Sequence, residues 1–293
     1  MTKRREPLEG VLPVDKPAGP TSHDVVARAR RALGERRIGH TGTLDPFASG
    51  LLLLCIGRAT RLAEYLTDMP KAYRATMRLG AATDTDDATG SITAESDAWR
   101  SLDDATIRAA FAAEAGTRPQ RPPAYSAKKI SGERAHRLVR RGESVELPEV
   151  EVVIHAIEVI SIALPDITFH VRCSSGTYIR SIARDVGERL GTLGHLTELR
   201  RTAIGPHSVA DAITVEQLDD PVAVADALIR PADALTNFPR ITVGDEDARH
   251  LTHGRPVPCS LPDAETIVVV HDDRLLAIGR AAGGWLEPNK VFV

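Results

Sequence analysis

The chain has 293 residues, 42% of them hydrophobic and 26% charged, with a formal net charge of −3 at pH 7. That length carries one substantial core plus a small second unit, and the composition excludes a disordered or fibrous protein. Cys55, Cys173 and Cys259 lie far apart with no CxxC pair, which argues against a disulfide framework and for a reducing compartment, the cytoplasm. Met1–Gly10 has no apolar h-region, and the densest apolar run, Leu51–Ile56, is too short to span a bilayer, so neither secretion nor a membrane is expected.

Val11–Val14 reads as a short strand, ended by the turn-rich Lys16–Pro20. Thr21–Asp24 offers N-cap residues for a helix that runs to Leu33 and stops at Gly34. Arg37–Gly50 has neither helical nor strand period and is expected to be an ordered loop, followed by a buried strand, Leu51–Ile56, and a short helix, Ala59–Leu66. Ala72–Leu79 alternates, with Tyr73, Ala75, Met77 and Leu79 on one face and Arg74 and Arg78 on the other. An acidic stretch after Gly80 leads to a helix near Asp103–Ala115.

The segment 118–148 is bounded by prolines and reads as an excursion from the core, with a helix over Glu133–Arg141. Its bases are Arg118, Arg121, Lys128, Lys129, Arg134, Arg137, Arg140 and Arg141, so a basic surface is expected on a globally acidic chain; the alternative is a solvated helix face. Ile167–Cys173 is a strand, turned by Ser174–Thr177 into a helix with the apolar stripe Ile179, Ile182, Ala183, Val186 and Leu190. Short acidic pieces follow to Phe238. From Arg240 the texture becomes strands (Thr266–His271, Leu275–Arg280, Lys290–Val293) with turns at Asp272-Asp273 and Gly283-Gly284.

Within Gly39–Gly50, Pro46 pushes Asp45 out of the α region and the glycines permit unusual backbone angles. An aspartate placed so, just before a buried strand, either caps a turn or presents a carboxylate at a cleft floor. Two metal patterns are weak: Asp84-x-Asp86 with Glu95 lacks the glycine of a calcium loop, and His250-x-x-His253 with Cys259 lacks a fourth ligand.

Val14–Ser22, Gly39–Gly50 and Ser175-Gly176-Thr177-Tyr178-Ile179-Arg180 occur in this order and spacing. Together with Lys71-Ala72-Tyr73-Arg74 they resemble the TruB family of tRNA pseudouridine synthases, over about residues 8–205. The tail from Arg240, through Leu251-x-x-Gly254-Arg255-Pro256-Val257, resembles a PUA-type RNA-binding domain. The resemblance implies an α+β fold, a mixed and mostly antiparallel sheet flanked by helices. A catalytic domain would span 8–235, including the basic RNA-closing insertion 118–148, and a PUA-like domain 240–293.

The implied activity is isomerisation of the T-loop uridine at position 55 of tRNA to pseudouridine. The N1–C1′ bond breaks and C5 joins C1′, with no redox change, so no cofactor and no metal are expected. A stand-alone enzyme without an obligate protein partner is implied; the rivals are a guide-RNA-dependent synthase and a non-catalytic tRNA-folding factor. Asp45 falls on the family's essential aspartate, acting as nucleophile at C1′ or as base at the ribose. Arg180 falls on its cationic partner, expected to depress the Asp45 pKa against desolvation. Tyr73 falls on the base-stacking tyrosine, Tyr178 and Leu199 on the pocket lining, and His40 on the residue filling the gap left by a flipped nucleotide. Lys128, Lys129, Arg137, Arg140 and Arg141 fall on the segment that closes over the RNA, while Lys16 is expected to support the loop.

Overall fold

Helix α1 (Ser22–Leu33) starts where the sequence says it should. Thr21 and Asp24 form a capping box, and Gly34 ends the helix at φ 65°. The computed structural model describes residues 8–126, 129–130, 133–134, 141 and 147–292. Along the chain lie β1 (Gly10–Lys16), β2 (Ile38–His40), β3 (Ser49–Ile56), β4 (Lys71–Leu79), β5 (Ala81–Thr83), β6 (Ile92–Glu95) and β7 (Gly116–Gln120). Next come β8 (Lys129–Ile130), β9 (Glu133–Arg134), β10 (Val150–Ala163), β11 (Asp166–Cys173), β12 (Gly194–Ile204), β13 (His207–Ser208) and β14 (Ile213–Thr214). The tail carries β15 (Arg240–Thr242), β16 (Val257–Pro258), β17 (Ala264–His271), β18 (Arg274–Ala282) and β19 (Trp285–Val291).

The large sheet has the order β14-β1-β3-β12-β4-β11-β10-β7, with β13 beside β12 and β2 beside β3. It is mixed but mostly antiparallel, parallel only at β1–β14 and β3–β12. After the short α2 (Ala63–Thr67), helices α3 (Asp104–Ala112) and α4 (Ile179–Arg189) bury Ile107, Phe111, Ile179, Ile182 and Val186 against Tyr73, Ala75, Met77, Phe169 and Val171, the inward face of β4 and β11. On the other half, α1 packs Val25, Val26 and Ala29 on Leu12, Val14, Leu52 and Leu54.

A second sheet, β15-β17-β18-β19-β16, does not keep its core to itself. Val268, Val270, Leu275, Ile278 and Phe292 share one cluster with Val11, Leu51, Leu53 and Cys55 of the large sheet and with Leu62 and Leu66. Burial pushes the Cys55 thiol up to about 12, so it stays a neutral thiol there. No helix among the described residues is long and apolar enough to cross a membrane.

Several elements differ from expectation. The loop 37–50 begins with strand β2, paired to β3. The basic segment does not leave the core at Arg118: β7 pairs with β10 through Gln120, with Pro119 tolerated because β7 is an edge strand. Where a helix is expected from Glu133, Glu133 and Arg134 form β9, paired with β8; the rest of that helix lies outside the described residues, except Arg141, in a turn. Helix α6 (Asp245–Thr252), after α5 (Pro221–Ala227), is an addition to the tail, and the last described strand, Trp285–Val291, starts five residues before the expected Lys290.

Candidate active site

Ser22, the first residue of α1, fixes the 39–50 loop from one side. Its Oγ donates to the Leu44 carbonyl (3.2 Å) and accepts from the Leu44 amide (2.9 Å). Lys16 fixes it from the other: fully buried, its Nζ donates to the carbonyls of Pro17 (2.9 Å), Pro20 (2.8 Å) and Pro46 (3.5 Å). Burial lowers the Lys16 pKa to about 8, against the upward pull of Asp45. Lys16 is thus the loop support expected of it. At Gly50, φ is +104° and an added Cβ would lie 2.2 Å from the Arg201 carbonyl oxygen, so only glycine lets β3 approach β12 this closely.

Between these anchors Asp45 meets Arg180. The Arg180 guanidinium is buried and fully engaged: Nε to Asp45 Oδ2 at 2.9 Å, Nη1 to the Thr85 carbonyl at 2.8 Å and Asp87 Oδ2 at 3.5 Å, and Nη2 to the Tyr125 carbonyl at 3.0 Å. A buried cation needs such pairing and hydrogen bonding to be tolerated. Asp87 is held in turn by Thr85 Oγ1 (2.9 Å) and the Thr89 amide (2.9 Å). The Asp45 side chain stays 36% exposed. Even so, desolvation raises its pKa above the ordinary carboxylate value; Arg180 pulls it down, Asp87 adds to the rise, and Lys16 lowers it. The expectation that Arg180 would win is therefore corrected: loss of water outweighs the ion pair.

Tyr73 and Leu199 lie in one buried cluster with Leu44 and Ala48. Tyr73 is only 9% exposed, so a base could meet it only over a small part of the ring. Its cross-strand partner is Arg201, whose guanidinium is within hydrogen-bonding reach of the phenol; burial nonetheless leaves the Tyr73 pKa raised. Tyr178, the N-cap of α4, is clamped through its backbone by Gln120 (2.8 and 3.1 Å), and its phenol pKa is raised by burial. His40 stands edge-on to His23 at 5.3 Å, with Nδ1 buried and unpartnered. Burial first, then the charges of His23 and Arg201, lower its pKa.

The structure thus gathers Asp45, Arg180, Tyr73, Tyr178 and Leu199, with Tyr73 and Tyr178 within electrostatic reach of Asp45, and sets His40 beside His23, within reach of Arg201. It does not do so for the basic set: Lys128, Arg137 and Arg140 lie outside the described residues, Lys129 is placed by its backbone in β8, and Arg141 is exposed in a turn. Sequence reasoning missed Asp87, Thr85, Gln120 and Arg201. A cavity of about 780 Å³ opens beside this site, lined by Arg118, Arg121, Arg184, Asp84, Asp86 and others, but not by Asp45 or Arg180. Asp45 is singled out by its contact with a buried guanidinium, not by cavity size.

An aspartate paired to a buried arginine, on a mixed sheet flanked by helices, is an arrangement able to serve covalent or acid–base chemistry. Residues 30–179 match the TruB family pseudouridylate synthase N-terminal domain, and residues 180–237 the tRNA pseudouridylate synthase B C-terminal domain. Tyr-, Asp- and Arg-bearing segments alike fall within these matches. The chain is 44% identical over 299 residues to tRNA pseudouridine synthase B of Burkholderia mallei, covering 99% of this chain and 98% of that one. It is 52% identical over 219 residues to the Corynebacterium jeikeium protein of the same name, covering 72% and 71%. Among solved structures it resembles an H/ACA RNP bound to a substrate RNA containing 2′-deoxyuridine (TM-score 0.76, 26% identity, 97% of this chain and 85% of that one). An archaeal box H/ACA sRNP Nop10–Cbf5 complex is similar (TM-score 0.74, 26% identity, 99% and 89%). The chain belongs to the TruB family of pseudouridylate synthases.

The extent of Tyr73 burial sets the size of its expected effect. Tyr73→Phe keeps the ring and should bind substrate RNA like the wild type. Tyr73→Leu should weaken binding at the low end of stacking energies, about 1 kcal/mol or roughly fivefold in Kd. Equilibrium binding to one RNA decides it: equal weakening in both variants would show that the ring is not the stacking surface.

Proposed function

We propose that this protein is a stand-alone, cofactor-free tRNA pseudouridine synthase that isomerises the T-loop uridine at position 55, acting in the cytoplasm. The observation that carries this reading is the Asp45–Arg180 contact, 2.9 Å long. Asp45 attacks C1′ or removes a ribose proton, and the N1–C1′ bond breaks with its electron pair on the uracil. The base turns, C5 bonds C1′, C5 loses its proton and N1 gains one. Arg180 holds the working carboxylate in place and in its charged form. Tyr73 and Leu199 floor the nucleobase pocket, Tyr178 lines it, and His40 fills the place of the flipped nucleotide.

Lys128, Lys129, Arg137, Arg140 and Arg141 would contact RNA phosphates, and the tail from Arg240 would add a PUA-like RNA-binding surface. The likeness to ribonucleoprotein enzymes keeps a guide-dependent reading in view. One assay separates the readings: purified protein, unmodified tRNA transcript, no guide RNA, no other protein, and mapping of pseudouridine by position. Conversion at position 55 supports the proposal. Conversion only with added guide RNA supports the rival, and binding without conversion supports a folding factor.

A further inference from the structure

Among the described residues, the largest side chain buried at under 2% exposure is not a hydrophobic one but Arg201, 1% exposed in the second half of β12. Its Nε donates to the Leu51 carbonyl at 2.8 Å and its Nη2 to the Gly42 carbonyl at 3.1 Å, tying it to both ends of the loop that carries Asp45. Across the strand it faces the Tyr73 phenol. Among the described residues no carboxylate pairs with it, whereas Arg180 has two. A buried charge without a counter-ion is expensive, and the surrounding carbonyls solvate it only in part.

The same imbalance holds for the whole site. Lys16 and Lys71 are buried within electrostatic reach of Arg201, while the buried carboxylate of Asp87 and that of Asp45 are paired with Arg180. Positive charge kept in excess in a dry pocket suits a negative charge that appears during reaction. On the function proposed above, on which this inference rests, such a charge does appear: when N1–C1′ breaks, the electron pair leaves on uracil N1, and the base stays anionic until C5 attacks C1′.

We infer that Arg201 is a positioning residue for this reaction. It fixes the Tyr73 phenol and the Asp45 loop in one arrangement, and it sets an uncountered positive charge beneath the uracil that favours the detached base as an anion. A purely structural arginine would not care how acidic the departing base is. Arg201 does, because the need for its charge falls as the base becomes a better anion.

The test uses full-length protein and two tRNA transcripts, one with uridine and one with 5-fluorouridine at the target. Fluorine makes the departing base a more stable anion; the C5-linked adduct then keeps its fluorine, and the reaction is followed as consumption of the N1-linked nucleoside. Arg201→Gln keeps donors for the carbonyls without the charge; Arg201→Lys keeps the charge. In single turnover, Arg201→Gln should lose about a hundredfold on uridine, and at least about tenfold less than that on 5-fluorouridine. Arg201→Lys should recover at least about tenfold on uridine. The two rates are compared within each variant, so partial misfolding cancels. Equal losses on both bases, or no recovery by lysine, would overturn the inference while leaving the function intact. No conversion of uridine by the wild type would instead remove the proposed function, and the inference with it.

Discussion

Asp45→Asn should abolish pseudouridine formation, a loss of about a thousandfold or more in single-turnover rate, while tRNA affinity stays within several-fold of wild type. Asparagine keeps the shape and one oxygen for Arg180 but can neither attack C1′ nor take a ribose proton. The fold should survive, for a reason of sign. Desolvation raises the Asp45 pKa in the folded protein, so the stability linked to this group is present at low pH and is lost as pH rises through the folded value. At neutral pH the charged Asp45 opposes folding, and asparagine removes that opposition. The melting temperature should therefore hold or rise slightly. Substantial residual turnover would remove Asp45 from the chemistry; a lower melting temperature with lost binding would mean that the loop itself had collapsed.

Arg180→Met should cost about 10²–10³ in maximal rate and should also move the acid limb of the rate profile to higher pH. Activity needs ionised Asp45 and is lost as pH falls through its pKa, which burial already places above the ordinary carboxylate value. Removing the guanidinium deletes the main downward influence and exposes Asp45 to Asp87, which pushes the same way as burial; only Lys16 remains to oppose them. Raising the pH should recover part of the loss. Arg180→Lys keeps the charge but not the fork that reaches the Thr85 and Tyr125 carbonyls, so it should shift the limb less than methionine does. Single-turnover rates across a pH series decide this. Profiles of one shape with only a lower plateau would show that Arg180 positions substrate without tuning Asp45.

How much of this was legible in the sequence varies with how local the signal is. The Asp45 loop and the Tyr178–Arg180 turn are short contiguous motifs, and Thr21, Asp24 and Gly34 mark a helix by capping chemistry alone. Strands β10 and β12 were illegible because bulges interrupt their alternation, between Ile154 and Ala156 and Val159 and Ser161 in one, between Leu196 and Glu198 and Arg201 and Ala203 in the other. Arg201 was hidden by the same effect, since a charged residue in a broken pattern reads as surface. Asp87 was lost inside an acidic run that looks solvated, although it is 4% exposed. The direction of the Asp45 pKa could not be read at all, because it depends on how much water three-dimensional packing removes.

The seam between the two sheets carries a lesson for engineering and for descent. Phe292 and its neighbours fill the same cluster as Leu51 and Leu53, and Arg58 reaches the Phe292 carbonyl at 3.0 Å. The C-terminal strands are therefore no plug-in module that recombination could trade between relatives at will. A chimera joined near residue 240 would set one lineage's side chains against another's strand β3, the strand that begins at Ser49, just after the Asp45 loop. Drift at the far end of the chain is thus answerable to the interior of the catalytic sheet, and the tail and β3 must change together.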